Sequence, residues 1–328
     1  MGIEWELYGK IRQSLENGYV TEALQEIKDS RMQTEIISGY IACLEAACYE
    51  KLDDKKNALS ILEQTIKDGF TSYWVYHQIA STYRNLGRSA DCCASYQNAH
   101  KIQGWGESKD NGYIFTHDFF SANIPSWEKW FSEFITFSPI QILEIGSWQG
   151  GSATWCLDKI VSARGGRLTC VDTFEGSSEH ADWIKDIGDK IENIFDHNIK
   201  ASGHSHLCRK LIGYSQQILR ELYAERFHFI YIDGAHEARY VLEDAILAYG
   251  LLSEGGYILF DDYDFQFPVN PRQNTARAVD TFIDIYSDEI TVTDKGRQVL
   301  IQKQRSSIPH PPVDTIGKTQ KIATAYPA

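Results

Sequence analysis

The stretch Gln141–Leu157, QILEIGSWQGGSATWCL, changes character twice. It opens with the apolar run of a buried strand, crosses three glycines and closes on the start of a helix. Gly146, Gly150 and Gly151 let the backbone pass close to a ligand, and Ser152 is placed to cap the helix behind them. A fold that seats a pyrophosphate wants G-x-G-x-x-G at this turn. Here the spacing is G-x-x-x-G-G, and Glu144 precedes the first glycine by two. An acid there repels a pyrophosphate and suits a cationic ligand.

Working outward, RLTCVDTFEG (Arg167–Gly176) ends a second strand in Asp172. An acid at that tip can accept hydrogen bonds from both hydroxyls of a ribose. A glycine turn, Glu144 and Asp172 together describe an adenosine with a positive tail, which fits S-adenosylmethionine. Short apolar runs, Ile140–Ile145, Arg167–Val171, His206–Ile212, Phe227–Ile232 and Tyr257–Phe260, alternate with helical stretches. That alternation predicts a parallel sheet wrapped by helices. EITVTDKGRQVLIQK (Glu289–Lys303) reads instead as two strands around Asp294–Gly296, an antiparallel hairpin.

Two of the runs stop at acids: Asp233 after the fourth strand, Asp261 and Asp262 after the fifth. In a doubly wound sheet these positions meet in the ligand crevice. Three converging carboxylates repel, so one must hold its proton or a cation must join them. Oxygen ligands alone point to Mg²⁺, with Mn²⁺ or Ca²⁺ as alternatives. In the other reading one of Asp261 and Asp262 caps a turn while Asp233 binds cofactor or a proton. His236, three residues after Asp233, has a pKa suited to a general base, or is a structural histidine bonded to a neighbouring carboxylate. His117, His204 and His206 read as surface or packing residues, and Arg272 and Arg277 as solvated, in a proline-broken stretch suited to a lid or substrate wall.

Residues 1–104 read as helical and repeating. Gly18, Asp53 and Gly87 fall at turns about 34 residues apart; Ala23, Ala58 and Cys92, then Ile27, Leu62 and Tyr96, follow at fixed offsets. Ala46 and Ala80, and Tyr49 and Tyr83, match between the second and third units. This period resembles the tetratricopeptide repeat, although the first unit is degenerate and no proline closes the units; an irregular helical bundle is the alternative. Residues 105–139 read as a linker, glycine-rich in GWGESKDNG (Gly104–Gly112), and a lead-in helix with Pro125 in its first turn. The methyl-donor domain spans 140–303, and 304–328, with four prolines, reads as a loose tail.

The charge of −13 disfavours nucleic acid as a partner. No stretch reaches the ~20 apolar residues of a membrane span, and the amino-terminal residues lack a secretion signal. Seven cysteines without a CxxC fit reduced thiols in a cytoplasmic protein.

LEIGSWQGGS, CVDTFEG, GYSQQILREL, YIDGAHEARYVLEDA and LLSEGGYILFDDY, in this order, resemble class I S-adenosylmethionine-dependent methyltransferases, in particular the branch of macrocin O-methyltransferase-like and cephalosporin hydroxylase-like proteins. The resemblance implies a Rossmann-like α/β domain, a seven-stranded sheet with an antiparallel last strand, beside the α-helical repeat domain. It implies that Glu144, Gly146 and Ser147, with Gly150, Gly151 and Ser152, line the amino-acid side of the cofactor, and that Asp172 and Thr173 hold the ribose. Tyr214 and Ser215 would lie by the adenine, where the family often has Gly-Asp-Ser and this chain has Gly213-Tyr214-Ser215. Asp233 would touch the cofactor and, with Asp261 and Asp262, bind the metal; at the position of His236 catechol-type relatives carry a lysine, while Ala235 stands where macrocin-type relatives have an acid.

The expected activity is metal-dependent transfer of a methyl group to a hydroxyl of a small molecule, a sugar or secondary metabolite, by a homodimer or larger homo-oligomer. Nitrogen or peptide acceptors presented by the repeats, and a scaffold that has lost catalysis, are the competing readings.

Overall fold

The computed structural model describes residues 2–33, 39–176 and 190–304. Seven strands form one sheet: β1 (Ile140–Ile145), β2 (Gly166–Asp172), β3 (Cys208–Ile212), β4 (Phe227–Ile232), β5 (Leu252–Phe260), β6 (Ile290–Lys295) and β7 (Val299–Lys303). Their order is β3-β2-β1-β4-β5-β7-β6, and order reverses between β1 and β4, where a doubly wound sheet opens its crevice. The first five pair in parallel, whereas β7 runs antiparallel to both β5 and β6, as the terminal hairpin requires.

Two boundaries differ from the expectation. β3 starts at Cys208 because Ser205–Leu207 closes a 3-10 turn. β5 starts earlier, at Leu252, where a register shift lets Ser253–Gly256 bulge before regular pairing resumes at Tyr257.

Side-chain alternation divides the core. Ile142, Leu168, Phe229 and Leu259 enter one cluster, while Leu143, Val171, Ile230 and Ile258 enter the other across the sheet. Helices Ala238–Leu251 and Thr275–Ile285 cover the second face.

Six helices precede the sheet: α1 (Gly2–Glu16), α2 (Val20–Gln33), α3 (Gly39–Lys51), α4 (Lys55–Lys67), α5 (Tyr73–Asn85) and α6 (Ser89–Ile102). Gly18, Asp53 and Gly87 turn the chain within each pair with φ of 81°, 58° and 72°. Asp53 takes this left-handed conformation without being glycine, which an Asp tolerates better than most residues. Ala23, Ala58, Cys92, Ile27, Leu62 and Tyr96 are all buried, as are Ala46 and Ala80.

The stretch that composition marks as a linker is packed. Trp105 and Tyr113 are fully buried, and both donate to Asp158, at 2.8 and 2.9 Å. Phe115, Phe120, Trp127 and Phe131 continue this aromatic layer into the helix Ile124–Glu133. One cluster runs from Ala80, Cys92 and Tyr96 through the layer to the sheet. Lys109 and Asp110 are exposed while Ser108 is buried between Trp105 and Tyr113, a split that average composition hides. Gln304 still pairs with Glu289 through its N–H; the rest of the expected tail, 305–328, lies outside the described residues. No described helix is long and apolar enough to cross a membrane, and all seven cysteines are free thiols.

Candidate active site

A cavity of about 550 Å³ opens beyond the carboxyl ends of β1, β2, β4 and β5. One wall is the turn after β1. Gly146 has φ 86°, and a Cβ there would stand 1.8 Å from the carbonyl oxygen of Asp233, so only glycine lets the first turn cross the end of β4. Gly150 (φ 81°) begins the helix at Gly151, and Phe195 packs behind it.

The sequence places Glu144 on this wall, but the structure places it one layer beneath. Glu144 is 2 % exposed and accepts hydrogen bonds from Ser147 Oγ at 2.6 Å, Ser152 Oγ at 2.5 Å and Cys170 Sγ at 3.3 Å. Burial pushes its pKa up, against these hydrogen bonds. Ser152 therefore does not cap the helix; its hydroxyl is drawn to the buried carboxylate. Glu144 and Gly150 support the wall, while Gly146, Ser147, Gly151 and Ser152 line it.

Asp172 reaches the cavity from β2 and is rigidly held. Its Oδ2 accepts the N–H groups of Ser147 and Trp148 at 2.6 and 2.8 Å, and Oδ1 accepts that of Phe174 at 2.6 Å. Both lone-pair sites of Oδ2 are thereby filled, and Oδ1 keeps one for a ligand hydroxyl. Thr173, Tyr214 and Ser215 also line the cavity; Tyr214 is 59 % exposed. Ser215 Oγ is committed to Asp244 at 2.7 Å, and Gln216 donates to the same oxygen at 3.1 Å. Burial raises the pKa of Asp244 to about 7.

The acidic end is assembled from β4 and β5. Asp233, Asp261 and Asp262 all line the cavity with His236. Asp262 takes the left-handed region, φ 50°, while its N–H donates to Asp261 Oδ1 at 2.7 Å. His236 Nε2 lies 3.0 Å from Asp262 Oδ2. Asp233, His236 and Asp262 each bring a donor atom within 4.8 Å of the others. Asp261 sits to one side, bonded to the hydroxyl of Tyr231, which is also 2.9 Å from Asp233 Oδ2. A phenol has one proton, so Tyr231 can satisfy only one of these two carboxylates at a time.

Burial and the charges of Asp261 and Asp262 push Asp233 far above the usual carboxylate range, and burial and Asp262 push Asp261 up to about 6. Carboxylates that raise one another in this way are a set short of positive charge. The donor chemistry, carboxylate oxygens and one imidazole, fits a divalent cation bound by Asp233 and Asp262 with Asp261 or His236 adjoining.

The remaining wall comes from elements that sequence reading passed over. His100 of α6 stacks on Trp105 with centroids 4.6 Å apart and bonds Asp118 at 3.1 Å and Ser108 at 2.6 Å. Burial opposes a charge on Asp118, yet the charge and hydrogen bond of His100, helped by His77, hold its carboxyl well below the usual range. His117, read as a surface or packing residue, is buried and lines the cavity beside Phe119 and Trp148. His204 and His206 lie away from the cavity, and Arg272 and Arg277 are exposed, as expected. Nothing in the spacing of His100 and Asp118 signals their pairing. Tyr231 carries a signal: two residues before Asp233, which directly follows β4, it points to the same side.

Residues 143–263 match a family model described as a methyltransferase domain. No curated protein matches the chain. Solved structures with a similar fold include the O-methyltransferase TomG from Streptomyces achromogenes, involved in tomaymycin synthesis and in complex with S-adenosylmethionine (18 % identity over 56 % of this chain and 81 % of that one, TM-score 0.42). An O-methyltransferase from Bacillus cereus in complex with S-adenosylhomocysteine is 20 % identical over 62 % of this chain and 90 % of its own, with a TM-score of 0.40. The MycE methyltransferase of the mycinamycin biosynthetic pathway, in complex with Mg, S-adenosylhomocysteine and mycinamycin VI, is 15 % identical over 70 % and 64 %, with a TM-score of 0.43.

Proposed function

We propose that this chain, which carries a match to a methyltransferase domain, is a class I S-adenosylmethionine-dependent and divalent-metal-dependent O-methyltransferase acting on a hydroxyl of a small molecule. The observation that carries the reading is the sharing of one cavity by the anchored Asp172 loop and the charge-deficient Asp233–Asp261–Asp262 cluster. When bound, S-adenosylmethionine supplies an electrophilic sulfonium methyl, and a divalent cation supplies Lewis acidity toward a hydroxyl oxygen.

The chain's own residues do the rest. Asp172, fixed by three backbone N–H groups, would accept a ribose hydroxyl on Oδ1 without reorganising. Gly146 leaves the loop open to the amino-acid end, and Ser147 and Ser152 line that end above Glu144. Asp233 and Asp262 would hold the cation, with Asp261, tied to Tyr231, beside them at the strand end. His236 lines the cavity, paired through Nε2 with Asp262; it would take the acceptor's proton, and Asp262 would stabilise the resulting imidazolium.

The helical pairs, read as tetratricopeptide-like units, form a domain that bounds the acceptor side, since α6 contributes His100 to the cavity. Cytoplasmic residence agrees with the seven free thiols. The experiment is transfer of labelled methyl from S-adenosylmethionine into a small-molecule extract, with chelator and metal add-back, followed by mass spectrometry of the product. Label in a hydroxyl-derived ether, lost with chelator, supports the reading; full activity in chelator removes the metal, and label on nitrogen removes the acceptor class.

A further inference from the structure

The cavity holds more than a methyl donor and a metal require. Its acceptor side is bounded by Phe119, His117 and Trp148, three rings whose neighbouring centroids lie 5.6–6.2 Å apart. Phe119 lines this space and is 50 % exposed, so the folded chain leaves much of a large apolar side chain uncovered. Trp148 adopts φ 46°, a conformation that costs a bulky residue energy, and the Asp172 carboxylate holds it there through its N–H. Strain maintained by the cofactor-side acid aims this indole from the loop instead of letting it relax.

The wall is also braced from behind. The His77 ring bonds the carbonyl of Asp118 at 3.0 Å, and His100 bonds its carboxylate. That carboxylate accepts the N–H groups of Phe120 and Ser121 at 3.2 and 2.9 Å. Two helices of the amino-terminal region thus fix the segment that carries Phe119.

Opposite in charge to the acidic cluster, Arg297 is the only lysine or arginine among the described residues lining the cavity. It stands on the turn between β6 and β7, where its carbonyl accepts the N–H of Tyr263, next to the end of β5. Its guanidinium makes one loose contact, 3.5 Å to Asp264, with both side chains more than half exposed. An exposed pair at that distance contributes little and yields readily to a better partner. An arginine fork matches a carboxylate or phosphate in two parallel hydrogen bonds.

We propose that the acceptor is a hydroxylated ring bearing an acidic substituent, its ring face held by Phe119 and Trp148 and its anionic group by Arg297. This rests on the methyltransferase reading of the same cavity and adds the substrate class. The shared chemistry is a ring acid, whether aromatic or a sugar acid.

The test uses the full chain loaded with S-adenosylhomocysteine and Mg²⁺ and two probe pairs, 3,4-dihydroxybenzoate against catechol and D-glucuronate against D-glucose. Affinities come from calorimetry and ring contacts from saturation-transfer NMR. In one pair at least, the acid binds at least ~10-fold more tightly than its neutral counterpart, and Arg297→Gln removes that preference. Phe119→Ala weakens both members of that pair about 5–10-fold while S-adenosylhomocysteine affinity, the control for folding, stays within about twofold. The pair that responds identifies the ring type. Equal affinity within both pairs, a preference that survives Arg297→Gln, or no probe binding to a protein that binds S-adenosylhomocysteine overturns the proposal. A wild-type protein that fails to bind S-adenosylhomocysteine overturns the underlying reading instead.

Discussion

The two acidic ends of the cavity are built from the same residue types and solved in opposite ways. At the tips of β1 and β2, Glu144 is satisfied by two hydroxyls and a thiol, and Asp172 by three backbone N–H groups. At the tips of β4 and β5, Asp233 and Asp261 share one phenol, Asp261 also accepts the N–H of Asp262 and a bond from Gln298, and Asp262 pairs with His236. The first end is complete without a ligand. The second carries more negative charge than the protein balances. A preorganised end suits recognition of a constant cofactor, and an under-compensated end suits a cation that must bind to complete the site.

The largest effect that could break this contrast is at the crossing of the two ends. Gly146→Ala forces a Cβ against the Asp233 carbonyl at positive φ. It should cost about 3–5 kcal/mol of stability and abolish S-adenosylhomocysteine binding, measured by thermal denaturation and calorimetry. A variant that folds and binds normally would mean the two ends are not in contact as described.

Asp233→Asn and Asp262→Asn should each lower methyl transfer at least ~100-fold while changing S-adenosylhomocysteine affinity less than about threefold. Asp172→Ala should do the reverse, weakening the cofactor by roughly 2–4 kcal/mol through lost charge-assisted hydrogen bonds. If both sets of variants damaged binding and turnover alike, the division of labour between the ends would be wrong.

The smallest effect concerns Asp244, which underpins Ser215. Its folded pKa of about 7 lies above the unfolded value of about 3.9. The stability tied to its protonated form is therefore fully present below about pH 4 and lost as pH rises to about 7. Asp244→Asn, which keeps acceptors for Ser215 and Gln216, should be more stable than wild type by about 1–3 kcal/mol above pH 7, with the gap closing near pH 4. Urea denaturation across that range checks the sign; a variant that is less stable at high pH would show that the charged carboxylate is needed.

Much of this was legible because local rules govern it. The glycine turn, the acid at the end of β2, the three acids after β4 and β5 and the terminal hairpin follow from backbone sterics and strand periodicity. What stayed hidden depends on distant partners. The depth of Glu144 is decided by hydroxyls that could have capped a helix or faced a ligand. The aromatic layer of residues 105–135 was masked by the polar residues around Trp105 and Tyr113. The His100–Asp118 pair joins α6 to a loop with no spacing rule to announce it. Type and spacing from Asp233 make His236 a base or a histidine bonded to a neighbouring carboxylate; the 3.0 Å contact identifies that carboxylate as Asp262, which spacing could not name.

The most direct test of the central claim is calorimetric titration of chelator-treated protein with Mg²⁺ and Mn²⁺ near pH 7.5 and again near pH 5.5. Asp261 is raised to about 6 and Asp233 well above its usual range, so lowering the pH protonates the cluster before a cation arrives. The account predicts a single site that releases protons on binding, weakens at the lower pH and disappears in Asp233→Asn. Absence of binding at both pH values, or binding indifferent to Asp233 and to pH, would contradict it.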